Sequence, residues 1–453
     1  MTARLTGSTW DHPRGLDSLL AASEAFTAQH PEIEVRWDAR SLQDFADFSL
    51  EALVQSYDLV VFDHPFVGRA AAAGLLAPLE QVLPDDCLAD QARWSAGPSH
   101  ESYRWGGRQW ALAIDAACHV SAARPDLLDS RPASWDQVVE LARRRPGAVA
   151  LPALAIDAFL AFLTLIATES GEPFAADGGI ADLEAAAGAL ERLAELLAFA
   201  HPASLGSNPI QVLESMATGE QIAYAPITFG YVNYSTPGRR RHQVEFGPVA
   251  AVAGQTARGV LGGAGLGIAA GTSRAEEAAL FAAFVASGPV QRGPYARAGG
   301  QPGHRSAWFD QDLDRRVGGF FSATWPAIEA AYLRPRWPGF IEAQAVAADW
   351  THSWLEHPDV PAVRLARRLS QHFKRARAAA DTPAPTRLPQ DARPTRPPNT
   401  SAPTLAPTSA RTPASTSAST PARTPVPTSA PTPARTPAPM SAPTLTPTPA
   451  QND

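Results

Sequence analysis

After Thr382 the chain carries no aromatic residue, no glycine, no histidine and no cysteine. About 19 of the 43 prolines fall there, among Thr, Ala and Ser. Such a stretch has too little apolar surface to offset the entropy lost on ordering. The absence of a glycine period excludes a collagen helix. Two near-copies of twelve residues, Thr420–Pro431 and Thr432–Pro443, mark it as low complexity. Residues 381–453 are therefore expected to be a disordered Pro/Thr/Ala-rich tail. It is either a spacer or a low-complexity expansion, and only the preceding ~380 residues are expected to fold, enough for two domains.

The formal net charge is −7. From Asp381 onward six Arg and three Asp contribute about +3, which leaves the body near −10. An acidic body without a basic stripe excludes nucleic acid as the main partner. The basic run Arg143–Arg145 reads as a solvated helix end. Cys87 and Cys118 form no C-x-x-C pair, so a zinc ribbon or thioredoxin-type site is excluded. They are expected as unpaired, partly buried thiols. Met1–Trp10 contains one Arg and no apolar run of the secretory kind. The apolar run 150–167 is interrupted by Pro152 and Asp157, and it does not read as a membrane span.

The hydrophobic pattern alternates between two periods. Arg4–Trp10, Ile33–Trp37 and Leu59–Phe62 read as strands. Gly15–Gln29, with Leu16, Leu19, Leu20 and Phe26 on one side, reads as a helix. So does a segment capped by Ser41 and running through Leu42–Val54, and so does Val67–Leu76. Strand, helix, strand, helix, strand predicts a parallel α/β sheet. Further on, the spacing predicts helices over Trp135–Arg144 (capped by Ser134), Ile156–Ser170, Ile180–Phe199 and Glu276–Ser287. A helical block follows from about Ala327 to Ala380. Gln221–Ala225 is a strand candidate followed by an aromatic loop, and Asp85-Asp86 reads as a solvated turn.

No P-loop and no G-x-S-x-G elbow is present. Gly265–Ala270 matches G-x-G-x-x-A in form only, because Glu276 and Glu277 come too early for a dinucleotide site. His352 and His357 are five apart, which is not zincin spacing. No catalytic residue, metal or cofactor is expected. Polar residues instead follow the strands: Asp11, His12 and Arg14 after the first, Asp63 and His64 after the third. Ligands of open α/β sheets bind outside the carboxyl ends of strands. Carboxylates and imidazoles there can exchange hydrogen bonds with a ligand, and Arg14 can hold an anionic group bidentately. Trp10, Phe66, Phe229, Tyr231 and Trp337 lie in comparable loops, where flat rings suit sugar faces. Core packing is the competing reading for each.

An ordered set of short motifs carries a resemblance. It comprises Phe26 with His30–Val35, Tyr57–Val61, Gly74–Leu79, Gly107–Leu112, Asp126–Leu128, Pro132–Asp136, Gly262–Gly267, Gly299–Pro302 and Arg334–Gly339. In this order, over about residues 1–375, the chain resembles extracellular solute-binding protein family 1 of ABC transporters, the group that includes maltose-binding protein. The resemblance implies a two-lobed periplasmic-binding-protein fold with a hinge. Its first lobe would be 1–112 with 260–303, and its second 113–259 with 304–380. Hinge strands would lie near Ala113–Ala116 and Val260–Gly263. The implied ligand residues are Trp10, Asp11, His12, Arg14, Asp63, His64, Asp115, Phe229, Tyr231 and Trp337. The implied partners are a small polar solute, a sugar or related molecule, and a membrane permease. The protein is expected to be an extracytoplasmic monomer and no enzyme. A cytosolic sensor on the same fold and an Asp/His cleft enzyme are the alternatives.

Overall fold

The computed structural model describes residues 2–40 and 49–381. The expected tail and the Ser41 cap lie outside the described residues. Strand β1 (Ala3–Trp10) pairs in parallel with β2 (Ile33–Arg40) on one side and β3 (Leu59–Phe62) on the other. The crossover between β1 and β2 is the helix Leu16–Thr27. It buries Leu19, Ala22 and Phe26, spaced three and four apart as one helical face requires. Leu20 is 47% exposed and points away from that face. β3 is buried along its whole length, as a short continuous apolar run predicts. The helix just before it, Leu50–Ser56, is capped by Ser49, whose hydroxyl accepts the Ala52 N–H at 3.3 Å.

Parallel pairing stops at β3. The next neighbour is the glycine-rich β9 (Leu261–Ile268), which runs antiparallel to β3 and to β6 (Leu112–Ala123). Among the described residues the only strands between β3 and β6 in sequence are those of the small hairpin β4 (Arg104–Trp105) and β5 (Arg108–Gln109). β6 then pairs, also antiparallel, with β7 (Tyr224–Phe229) and β8 (Glu245–Gly247). The sheet order is therefore β2-β1-β3-β9-β6-β7, a mixed sheet rather than the parallel one that the first three strands suggested.

All twelve residues of β6 are buried. Its first half belongs to an apolar core built from residues before 115 and from 264–295. Its second half borders cores built almost wholly from 116–260 and from 296–373. β6 and β9 thus tie two sets of cores together.

Several helices differ in extent from their sequence patterns. Val67–Ala72 ends early because the chain turns at Gly74, with φ 62°. Asp85 and Asp86 open a helix (Asp85–Arg93) rather than a loop; a proline before two acids is a usual helix start. Asp182 caps Leu183–Leu197 with bonds to the Glu184 and Ala185 N–H groups, so that helix starts later than Ile180. β7 reaches Phe229, so half of the expected aromatic loop is strand. The final helical block is three helices, Phe320–Glu329, Phe340–Glu356 and Ala362–Asp381. Cys87 and Cys118 are free thiols.

Candidate functional site

The loop after β1 is shaped by Trp10 and Gly15. The Trp10 indole lies across Gly15, where an added Cβ would sit 2.5 Å from the ring. This contact folds the loop back so that the His12 carbonyl accepts the N–H groups of Gly15 and Leu16, each at 2.8 Å. His12 Nδ1 accepts the Arg14 N–H at 3.1 Å. Asp11 is left exposed, while Arg14 is driven inward to 4% exposure.

Inside, Arg14 meets Asp115 of β6. Nε donates to one carboxylate oxygen at 2.8 Å, and Nη2 donates to the other. Nη1 donates to the Gly230 carbonyl at 3.1 Å, just beyond β7. The guanidinium carbon stands 4.7 Å from the centre of the Tyr231 ring, a cation–π distance. The His12 ring meets the same tyrosine edge-on at 5.1 Å. One guanidinium thus joins the segments after β1 and β7 to β6. A glutamine adds a second tie: Gln301 accepts the Val232 N–H at 2.9 Å and donates to the Ala116 carbonyl at 3.1 Å.

Asp115 owes its placement to an irregularity. The β6–β9 register shifts between Ala113 and Asp115. Opposite the shift, Gly263 has φ 98°, and an added Cβ would lie 2.3 Å from the Asp115 carbonyl oxygen. Only glycine fits that turn of backbone.

Asp63 and His64 follow β3. His64 opens a single 3-10 turn, is fully buried, and has no hydrogen-bond partner at either ring nitrogen among the described residues. Burial, aided by Arg334 and Arg336, pushes its pKa well down, so the ring is neutral. The half-buried Asp63 carboxylate has no hydrogen-bond partner among the described residues. Burial raises its pKa, against the pull of Arg334. Arg334 itself is 4% exposed; Nη1 donates to Gln344 Oε1 at 3.1 Å, while Nε is without a partner. Tyr103, in range of both Asp63 and Arg334, donates its hydroxyl to the Phe62 carbonyl at 3.1 Å.

Of the remaining aromatic candidates, Phe229 is half-buried. It leans on the His119 ring at 4.3 Å and lies over Gly262. Trp10 is 5% exposed and belongs to the core of the first three strands. Trp337 packs into the other core against Phe340 at 5.5 Å, with the Arg377 guanidinium 5.7 Å from its ring. Phe66 is half-buried beside His64.

Two residues of the same region lack a sequence-based role. Arg334 lies three positions before Trp337, in the same Arg334–Gly339 segment. Asp157 stands in the first turn of the helix Ala155–Ser170 and is 8% exposed, with no hydrogen-bond partner among the described residues. Burial alone lifts its pKa to about 7. Its helix packs against the Phe229 side of the site, where Thr164 shares a hydrogen bond at 2.7 Å with His119, the ring on which Phe229 leans. Its signal in the sequence was one carboxylate interrupting an apolar run.

Farther out, Arg69 pairs with Glu342 at 2.7 Å, and Arg336 donates to the Arg104 carbonyl at 2.9 Å. These contacts again link the segments of the two core sets. Among the described residues no three His, Cys, Asp or Glu side chains gather as metal ligands, and no helix is long and apolar enough to cross a membrane.

A mixed sheet that ties two α/β cores, with polar loops meeting at the tie, defines a two-lobed binding protein of the periplasmic type. The family model for bacterial extracellular solute-binding protein matches residues 10–292, and the chain belongs to that family. A maltotriose-binding protein of Pyrococcus abyssi is 24% identical over 130 residues, 28% of this chain. The match likewise spans only 28% of that relative's length. Among solved structures, maltose-bound MalE3 of T. maritima superposes with a TM-score of 0.70 at 18% identity, covering 82% of this chain and 99% of that one. A solute-binding protein of Agrobacterium radiobacter in complex with ribitol gives 0.70 at 19% identity, covering 82% and 98%. The GacH receptor of Streptomyces glaucescens gives 0.66 at 17% identity, covering 83% and 99%. At these identities the likeness is one of fold.

Proposed function

We propose that this protein is the solute-capture component of an ABC-type importer. It holds a sugar or polyol between two lobes and closes on it by hinge bending. The observation that carries the reading is the meeting of Arg14, Asp115 and Tyr231. Residues from three separate segments converge there, beside polar groups that have no protein partner. Among the described residues, Arg334 Nε has no hydrogen-bond partner, and neither do the side chains of the half-buried Asp63 and the buried Asp157. Leaving such groups unsatisfied is costly, and a ligand's hydroxyls would satisfy them. Tyr231 and Phe229 offer ring surface beside them. The ligands named for the neighbouring structures, maltose, ribitol, D-mannitol and alpha-D-tagatose, agree with that chemistry.

The lobes in this reading are 1–112 with 260–303 and 113–259 with 304–380. Bending falls in β6 and β9, where the register shift and Gly263 interrupt regular pairing. Ligand favours the closed form only through contacts it makes in that form alone. Arg14, His12, Asp63, Asp115, Phe229 and Tyr231 line or brace the ligand space, together with Arg334 and Asp157. Trp10, His64 and Trp337 act from behind it. The closed, loaded monomer then docks outside the cytoplasm on a membrane permease and turns nothing over.

The test is a thermal-shift and tryptophan-fluorescence screen of the purified full chain with sugars and polyols. At least one is expected to raise the unfolding midpoint and change the emission. A complete panel without either response rejects the reading.

A further inference from the structure

The charges around Tyr231 do not balance. Asp115 answers Arg14 through both carboxylate oxygens, so that pair is neutral. Of the outlying cations, Arg240 is paired with Glu214 at 3.1 Å, and Arg336 is turned to the carbonyls of Glu101 and Arg104. His12, His64 and His119 are held neutral by burial. With Arg239 exposed to solvent, the buried and half-buried charges that remain are one guanidinium, Arg334, and two carboxylates, Asp63 and Asp157. Arg334 and Asp63 attract each other without forming an ion pair. Among the described residues no Arg, Lys or His side chain pairs with Asp157, and only the N-terminal turn of its own helix offers it positive charge. Ionised, Asp157 gives the site one negative charge that has no side-chain counterion and no hydrogen bond among the described residues, at 8% exposure.

We propose, resting on the sugar or polyol reading above, that the ligand carries a basic nitrogen among its hydroxyls, as an amino sugar or amino polyol does. Asp157 takes the ammonium, and Asp63 and Arg334 take neighbouring hydroxyls. A charge-assisted bond in a water-poor site is stronger than a neutral one. The Tyr231 and Phe229 rings add a surface that favours a cation over a neutral group. A neutral sugar leaves Asp157 with two poor options. It stays charged and unmatched, or it holds a proton whose loss begins near neutrality.

The experiment is calorimetric titration of the full chain with matched pairs: glucosamine and glucose, galactosamine and galactose, glucamine and sorbitol. In at least one pair the amine is expected to bind about tenfold tighter or more. Asp157→Asn is expected to bring that ratio close to one. Should that variant unfold early on heating, Asp63→Asn is titrated as well. It is expected to weaken both members of the pair by similar factors and keep the preference for the amine. Equal or tighter binding of the neutral member overturns the inference and leaves the capture reading standing. A ratio unchanged in Asp157→Asn overturns the role of Asp157. Binding of neither member of any pair overturns the amine assignment, while the broader sugar and polyol screen still decides the capture reading.

Discussion

Arg14 and Asp115 lie 101 residues apart in sequence and form a two-pronged ion pair in the interior, their side chains 5% and 0% exposed. Removing one member leaves the other charge buried and alone, which destabilises a protein by about 3–5 kcal/mol. Arg14→Ala is expected to lose stability on that scale in denaturant unfolding. The double variant Arg14→Met/Asp115→Leu is expected to recover most of it, since no charge is then stranded. Because Arg14 is committed to Asp115 and Gly230, an anionic ligand is not its main partner. An Arg14→Ala variant that unfolds at the wild-type midpoint would contradict the buried pair.

Gly263 is the backbone counterpart of that pair. With φ 98° and an added Cβ 2.3 Å from the Asp115 carbonyl oxygen, Gly263→Ala combines backbone strain with a clash. The expected loss is about 1–3 kcal/mol for the strained conformation alone, measured by the same unfolding experiment. Gly271→Ala, where an added Cβ meets nothing within 4 Å, serves as the control.

Stability is expected to rise with pH between about 5 and 6.5. Burial lowers His119 to about 3, His12 to about 4 and His100 to about 4, and lowers His64 well below its usual 6.5. In this window the unfolded chain binds those protons and the native chain does not, so unfolding takes up protons and stability falls as pH falls. Asp157, raised by burial to about 7, acts in the opposite sense, as do Asp63 and Asp115, which burial also raises. His304 is likewise lowered and Glu169 likewise raised by burial, so five histidines stand against four carboxylates, and the histidines set the sign most firmly at the acid end of the window, where the unfolded chain's imidazoles are nearly all protonated. Unfolding midpoints at several pH values check this, and a midpoint that falls with pH across the window would refute it.

Ending the chain at Asp381 is expected to leave both the unfolding midpoint and ligand affinity unchanged, because the apolar cores are complete by Phe373. Loss of either in the shortened chain would assign the last residues to the fold.

The strands and most helices were legible because their apolar spacing is regular: Leu19, Ala22 and Phe26 announce a helix face, and Leu59–Phe62 a buried strand. The antiparallel insertion of β9 was not legible. Its partners β3 and β6 lie about 200 and 150 residues away, and no local pattern encodes such a pairing. Strand-end polarity pointed to Arg14 and Asp63, since polar groups just after strands are placed by the sheet itself, and the aromatic run Phe229–Tyr231 pointed to Tyr231. Which of them would pair was hidden, because the Arg14–Asp115 contact depends on a register shift and one glycine. Trp337 is a core ring, and its motif also carries the buried Arg334, which no pattern set apart. Asp157 was visible only as an interruption in an apolar helix.

The account rests on ligand capture at Tyr231. Calorimetry of the full chain and of Tyr231→Ala, titrated with the sugar or polyol that most raises the unfolding midpoint, tests it most directly. The expected result is one site per chain in the wild type and at least a tenfold weaker site in the variant, about 1.4 kcal/mol or more. Equal affinity in both proteins would place the ligand elsewhere and contradict the account.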